Sequence, residues 1–177
     1  MRTSGFLAAV VPVLSILPFA LLSLAPWSAP DAVNFALPLV MLAAVFFWSL
    51  RQPGSVPLVL VFLVGLLTDL VDDGALGYWA LLYLIGTAVA IHVPVTAVLR
   101  RDGLLAWAIF AGAVALVVVA GWLVASLYYL APVPFMPLLL GGALAIVAYG
   151  PVTYLLAPIE EQVGIWHAVA KPFKDGI

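Results

Sequence analysis

Gly65-Leu66-Leu67-Thr68-Asp69-Leu70-Val71-Asp72-Asp73-Gly74-Ala75-Leu76-Gly77 is the stretch on which the reading of the chain turns. An apolar run meets three carboxylates within five positions, and two glycines follow before the chain becomes apolar again. Elsewhere charge falls only at the ends of apolar segments. Here Asp69 arrives before its segment has clearly ended.

The frame around this stretch is too apolar for a soluble domain. The chain has 177 residues, of which 67% are apolar and 8% charged. Soluble domains run at about 45–50% apolar and about 25% charged. So few charges cannot cover a water-facing surface, and the composition is that of an all-α integral membrane protein. Its length suits one domain. The net charge of −2 gives no pull toward nucleic acid. With no cysteine, disulfides, thiolate chemistry and Cys-based metal sites are excluded.

A bilayer-crossing helix needs about 20 mostly apolar residues. The uncharged stretches are 3–30, 32–50, 52–68, 74–99 and 103–159, the last broken by Ala131-Pro132-Val133-Pro134. They predict six spans, near 6–24, 33–50, 56–71, 76–99, 104–127 and 136–156. Arg2, Arg51, Arg100, Arg101, Lys171 and Lys174 then share one side, and Asp31, Asp72 and Asp73 the other. Basic residues resist translocation, so both termini are expected inside. Trp27 and Trp79 fall at outer span ends, and Trp48 and Trp107 at inner ones, where an indole sits at headgroup level with its N–H wet. The first segment reads as a retained span. Its apolar middle outruns the 7–15 residues of a signal peptide, and Pro30 follows the small-residue site Ser28-Ala29.

Prolines inside the spans (Pro12, Pro18, Pro38, Pro94 and Pro151) each free a carbonyl, so kinked, closely packed helices are expected. Small residues four apart support close approach: Gly86 with Ala90, Ala111 with Ala115, Gly121 with Ala125, and Gly141 with Ala145. The transmembrane domain is drawn as 1–158. After Pro158, residues 159–177 read as a cytoplasmic amphipathic tail. Ile159, Val163, Trp166 and Ala170 lie on one face, and Trp166 serves as its anchor at the inner surface.

Chemistry is sparse. Asp72 and Asp73 precede the fourth span, where carboxylates suit a helix N-terminus. Asp69 lies about 4.5 Å inside the third span. That is the C-terminal end of the helix, where the macrodipole disfavours an anion. It therefore needs compensation, from the backbone N–H groups of the turn at Gly74 to Gly77, from a donor on a partner, or from protonation. Two roles stand: a pin for the hairpin between spans three and four, or a direct contact with a partner. His92, deeper in span four, reads as a neutral imidazole bonded within the bundle. A metal site lacks ligands, since His92 and His167 are the only histidines. Enzyme readings fail on missing motifs: there is no Gly-x-Ser-x-Gly elbow, and no second intramembrane acid apposes Asp69. No cofactor is implied.

The run from Pro57 through Phe62, Gly65, Leu66, Leu67 and Asp69 to Leu70, followed by Gly74-Ala75-Leu76-Gly77-Tyr78, resembles the rod shape-determining protein MreD family. That family carries Phe-x-x-Gly-Leu-Leu-x-Asp and then Gly-x-x-Gly. The specific match covers residues 57–85, and the doubled acid Asp72-Asp73 departs from the pattern. The resemblance implies a six-helix bundle similar to the substrate-binding subunits of energy-coupling-factor transporters. It implies a non-catalytic scaffold of the cell-elongation machinery in the bacterial inner membrane. MreC is the implied partner, and through it MreB, RodZ, RodA and its transpeptidase. The expected partner-binding or structural residues are Gly65, Asp69, Asp72, Asp73, Gly74 and Gly77. A vitamin-type membrane carrier subunit is the alternative, because Asn34, Thr68, Tyr83, Thr87, His92, Thr96, Ser126, Tyr149 and Thr153 could line a pocket.

Overall fold

The computed structural model describes residues 2–25, 30–72, 74–93 and 103–170, and among these described residues the apolar segments form six helices. They are α1 (Arg2–Leu24), α2 (Asp31–Arg51), α3 (Leu58–Val71), α4 (Tyr78–His92), α5 (Gly103–Tyr128) and α6 (Phe135–Ala170). No strand occurs among the described residues. Trp27, Asp73, Pro94, Thr96, Arg100, Arg101, Lys171 and Lys174 lie outside them, as do the side chains of Arg2, Trp166 and His167. Three helices are long and apolar enough to cross a membrane: α2, α5 and the Phe135–Ile165 part of α6. The Val10–Leu24 part of α1, α3 and α4 are shorter apolar helices. α3 has 14 residues, which is about 21 Å of helix.

The helices run up and down. The end of α1, the start of α2, the end of α3 and the starts of α4 and α6 meet at one end of the bundle, with the end of α5 beside them. We call this the hairpin end. Asp31, Asp69 and Asp72 lie there. Arg51 lies at the far end of α2, where its guanidinium donates to Glu160 Oε2 at 2.7 Å and lies 4.7 Å above the Phe47 ring.

α2 is the central helix. Every residue from Met41 to Leu50 is buried, whatever direction its side chain takes. α6 packs along it most extensively, and α1 and α4 close other sides. The outer surface of the bundle is apolar too: Val59, Leu104, Leu127, Val147 and Tyr154 are all at least 70% exposed. A soluble fold does not expose such side chains in number.

Several expectations change in the folded chain. Trp48 is fully buried and its indole donates to Ser15 Oγ at 2.8 Å. Trp79 is 5% exposed, and its indole donates to Asp72. These two indoles are interior staples, not wet belt residues, because a buried N–H must find an acceptor within the protein. Trp107 and Trp122 donate to the carbonyls of Ile146 and Val133 and bind neighbouring segments in the same way. His92 is exposed, and its Nδ1 lies 2.8 Å from the carbonyl of Ala88 on its own helix. The helix runs on through Pro158 to Ala170. A proline removes only one N–H, while the buried Val163 and the Arg51–Glu160 pair hold the extension on the bundle's axis. Residues 159–170 therefore continue the sixth helix and are not a separate one.

The small-residue spacing has mixed success. A Cβ at Gly86 would lie 2.7 Å from the Leu42 side chain, and one at Gly141 would lie 2.6 Å from the carbonyl of Ala32. At Gly121 the neighbour is the Tyr78 hydroxyl, at 2.8 Å. These are close helix contacts. Ala115 is exposed, so the Ala111–Ala115 pair is not one.

Candidate functional site

The hairpin between α3 and α4 is built by two residues one turn apart. Positions 65 and 69 share a face of α3 because residues four apart in a helix stack above one another. That face meets the first turn of α4. At Gly65 a side chain would collide with the Ala80 backbone: a Cβ there would lie 2.6 Å from Ala80 N and 3.0 Å from the carbonyl carbon of Trp79. Only glycine lets the two helices approach this closely.

One turn further on, Asp69 is 1% exposed. Its Oδ2 accepts the Gly77 N–H at 2.8 Å, and its Oδ1 accepts the Trp79 N–H at 2.7 Å. Gly77 is the N-cap residue of α4 and has no side chain with which to cap it. Its φ of +92° is left-handed and suits glycine. The first turn of a helix leaves backbone donors unsatisfied, and a cap usually comes from the residue before the helix. Here the cap is supplied by the neighbouring helix. The charge that the C-terminal end of α3 disfavours is favoured by the N-terminal end of α4. Of the expected sources of compensation, the N–H groups of the turn contribute through Gly77.

Asp72 follows as the C-cap residue of α3. Its Oδ2 accepts the Trp79 indole N–H at 2.9 Å. Asp69 and Asp72 thus hold Trp79 by its backbone and its ring. Behind them the buried Thr68 returns its hydroxyl to the carbonyl of Val64 at 3.0 Å.

Of the six residues singled out, Gly65, Asp69, Asp72 and Gly77 come together at this corner. Gly74 lies in the connection and has open space where a Cβ would be, so nothing in the packing requires a glycine there. Asp73 lies outside the described residues. The residue that the motif reading missed is Trp79, which donates hydrogen bonds to two of the acids. Its position two residues after Gly77 was the available signal.

The corner borders a cleft of about 420 Å³ at the hairpin end, lined by Ser23, Asp31, Asn34, Phe35, Val71, Asp72 and Trp79 among others. A second, smaller hollow of about 250 Å³ lies on the other side of Asp72 and Trp79, against Tyr78, Tyr128 and Tyr129. Among the described pocket-lining candidates from the sequence, only Asn34 reaches the larger cleft, and Thr96 lies outside the described residues. Thr68, Tyr83 and Thr87 are buried between helices, and Tyr149 stacks on Phe110 with centroids 4.4 Å apart.

The Asp72 carboxyl is held above its ordinary range. The residue is exposed, but partial burial of its carboxyl raises it, the Trp79 indole pulls in the opposite direction, and the nearby Asp69 carboxylate adds to the rise. A raised carboxyl disfavours the folded state while ionised, and the penalty fades as pH falls through the raised value. Asp72→Asn keeps an acceptor for the indole and removes the charge. The variant is expected to melt slightly above the wild type at neutral pH, with the gap closing toward the carboxylate range. Melting curves of both proteins across that pH interval check this.

No protein-family model, curated protein or solved structure matches the chain, so its function is read from this corner and its cleft.

Proposed function

We propose that the chain is a non-catalytic, six-span scaffold of the bacterial cell-elongation machinery, resident in the inner membrane. In this reading both termini are cytoplasmic, and the hairpin end faces the periplasm. There it docks the transmembrane helix and periplasmic domain of an MreC-type partner. The resemblance of the 57–78 segment to the MreD family motivates the proposal. The observation that carries it is the fate of Asp69: the carboxylate is spent on two backbone N–H groups of α4 and serves architecture, not chemistry.

The charge layout supports the orientation. Asp31, Asp69 and Asp72 gather at one end, and Arg51 lies at the other, as positive-inside sorting requires. Helix α3 is shorter than the roughly 30 Å hydrocarbon core. It crosses with the help of the 52–57 connection and local thinning of the bilayer. The acidic rim would meet a basic partner surface.

Co-purification from native membranes tests this. The wild type is expected to elute one-to-one with an MreC-type chain, and the paired reversals Asp31→Lys and Asp72→Lys to lose most of that partner. Unchanged one-to-one recovery with both reversals would remove docking from the hairpin end. The cleft itself favours a second reading, a small-molecule carrier subunit similar to the energy-coupling-factor type. A ligand retained through purification, or uptake by proteoliposomes, would select it.

A further inference from the structure

We propose that the hairpin-end cleft is a binding site for a primary ammonium group carried on a small apolar or aromatic body. The volume of about 420 Å³ falls within the roughly 300–1,000 Å³ typical of small-ligand sites. It is far too small for a helix, so its occupant differs from the docking partner proposed above; Asp31 and Asp72 belong to both surfaces, but the inference stands whether or not that docking occurs. Phe35 and Trp79, with ring centroids 5.2 Å apart, give it an aromatic wall, and Val71 extends the apolar lining.

Among the described residues the lining's charges are Asp31 and Asp72, both negative and both exposed. Asp31 has local support in the first turn of α2. Asp72 does not. It stands at the C-terminal end of α3, where the helix's own partial charge is also negative. Its one hydrogen bond among the described residues comes from the Trp79 indole. No Lys or Arg lines the cleft among the described residues. A carboxylate only accepts hydrogen bonds and an ammonium only donates them, three at a time. Asp72 and Asp31 are the matching acceptors. Aromatic faces add attraction for a cation. A neutral or anionic body of the same shape would desolvate the carboxylates and return nothing. The ammonium could belong to a dissolved amine or to the headgroup of an aminophospholipid, and the chemistry is the same.

The test titrates the purified full chain, in amine-free detergent, with phenethylamine. Phenethyl alcohol and phenylpropionate serve as neutral and anionic counterparts. Melting temperature and tryptophan emission are read together, since Trp79 forms a wall of the site. A saturable response to the amine alone is expected. It should weaken about tenfold or more in Asp72→Asn, the scale of one charge-assisted bond, and less in Asp31→Asn. An equal response to the alcohol, or an undiminished one in Asp72→Asn, would overturn the site and leave only apolar partitioning.

Nanodiscs separate the sources. Loss of the phenethylamine response in phosphatidylethanolamine, but not in phosphatidylcholine, identifies the lipid headgroup as the occupant. An equal response in both identifies a dissolved amine. Normal partner recovery with no amine response would defeat this inference and leave the docking proposal intact, and the reverse result would do the opposite.

Discussion

Gly65→Ala is expected to destabilise the folded chain by about 3 kcal/mol, the upper part of the range for overpacking a tight contact. The added methyl would meet the backbone of Ala80 and Trp79 and not a flexible side-chain tip. Backbone in the first turn of a helix cannot step aside alone, so α3 and α4 must separate. Separation stretches the two bonds from Asp69 to the Gly77 and Trp79 amides, which lie one turn along the same face. The loss therefore exceeds that of a methyl clash. Denaturant titration in mild detergent, followed by tryptophan emission, reads the change. A variant within about 0.5 kcal/mol of the wild type, the scale of an ordinary surface change, would show that the contact yields easily. Gly74→Ala supplies the contrast. No atom stands within 4 Å of the added group, so its effect should be small.

The second large effect is expected from Asp69→Asn. The carboxylate presents one oxygen to each of two backbone donors. An amide keeps one acceptor and turns an NH₂ group toward the other donor. Leaving a buried donor unsatisfied costs about 1–3 kcal/mol, and the charge-assisted character of both bonds is lost with it. We expect about 3 kcal/mol, concentrated at the start of α4. Amide exchange at Trp79 should accelerate far more than exchange in the middle of α2, whose residues are buried on every side. Uniform acceleration throughout the bundle would show that the cap is no local device. Because Gly65 and Asp69 act on one contact, the double variant should cost less than the sum of the two, with a coupling of about 0.5–3 kcal/mol.

The corner illustrates what was readable in advance. That Asp69 needed compensation followed from its place near the end of an apolar run, and the turn ending at Gly77 was one of the sources considered. The cap's second bond, to Trp79, was not foreseen. The spacing of 65 and 69 marks a shared helix face, but nothing in one sequence says which helix that face meets. Trp79 was read by its depth in the chain. Its burial, and the pull of two acids on it, depend on how α3 and α4 cross. The same holds for Trp48, which ends against Ser15 of α1, 33 positions away.

By itself the sequence determined that this chain is helical, where its helices begin to within a few residues, and which turns carry Asp31, Asp69 and Asp72. Those properties follow from apolar length, from proline and glycine, and from the cost of charge in an apolar medium, all of which are local. Only the tertiary structure decided that α2 is the enclosed helix, that the helix beginning at Phe135 runs on past Pro158, and that Asp69 caps a helix other than its own. The physical reason is a loss of contrast. When the surroundings are as apolar as the core, a buried face and an outward face are written in the same residues, and only contact tells them apart.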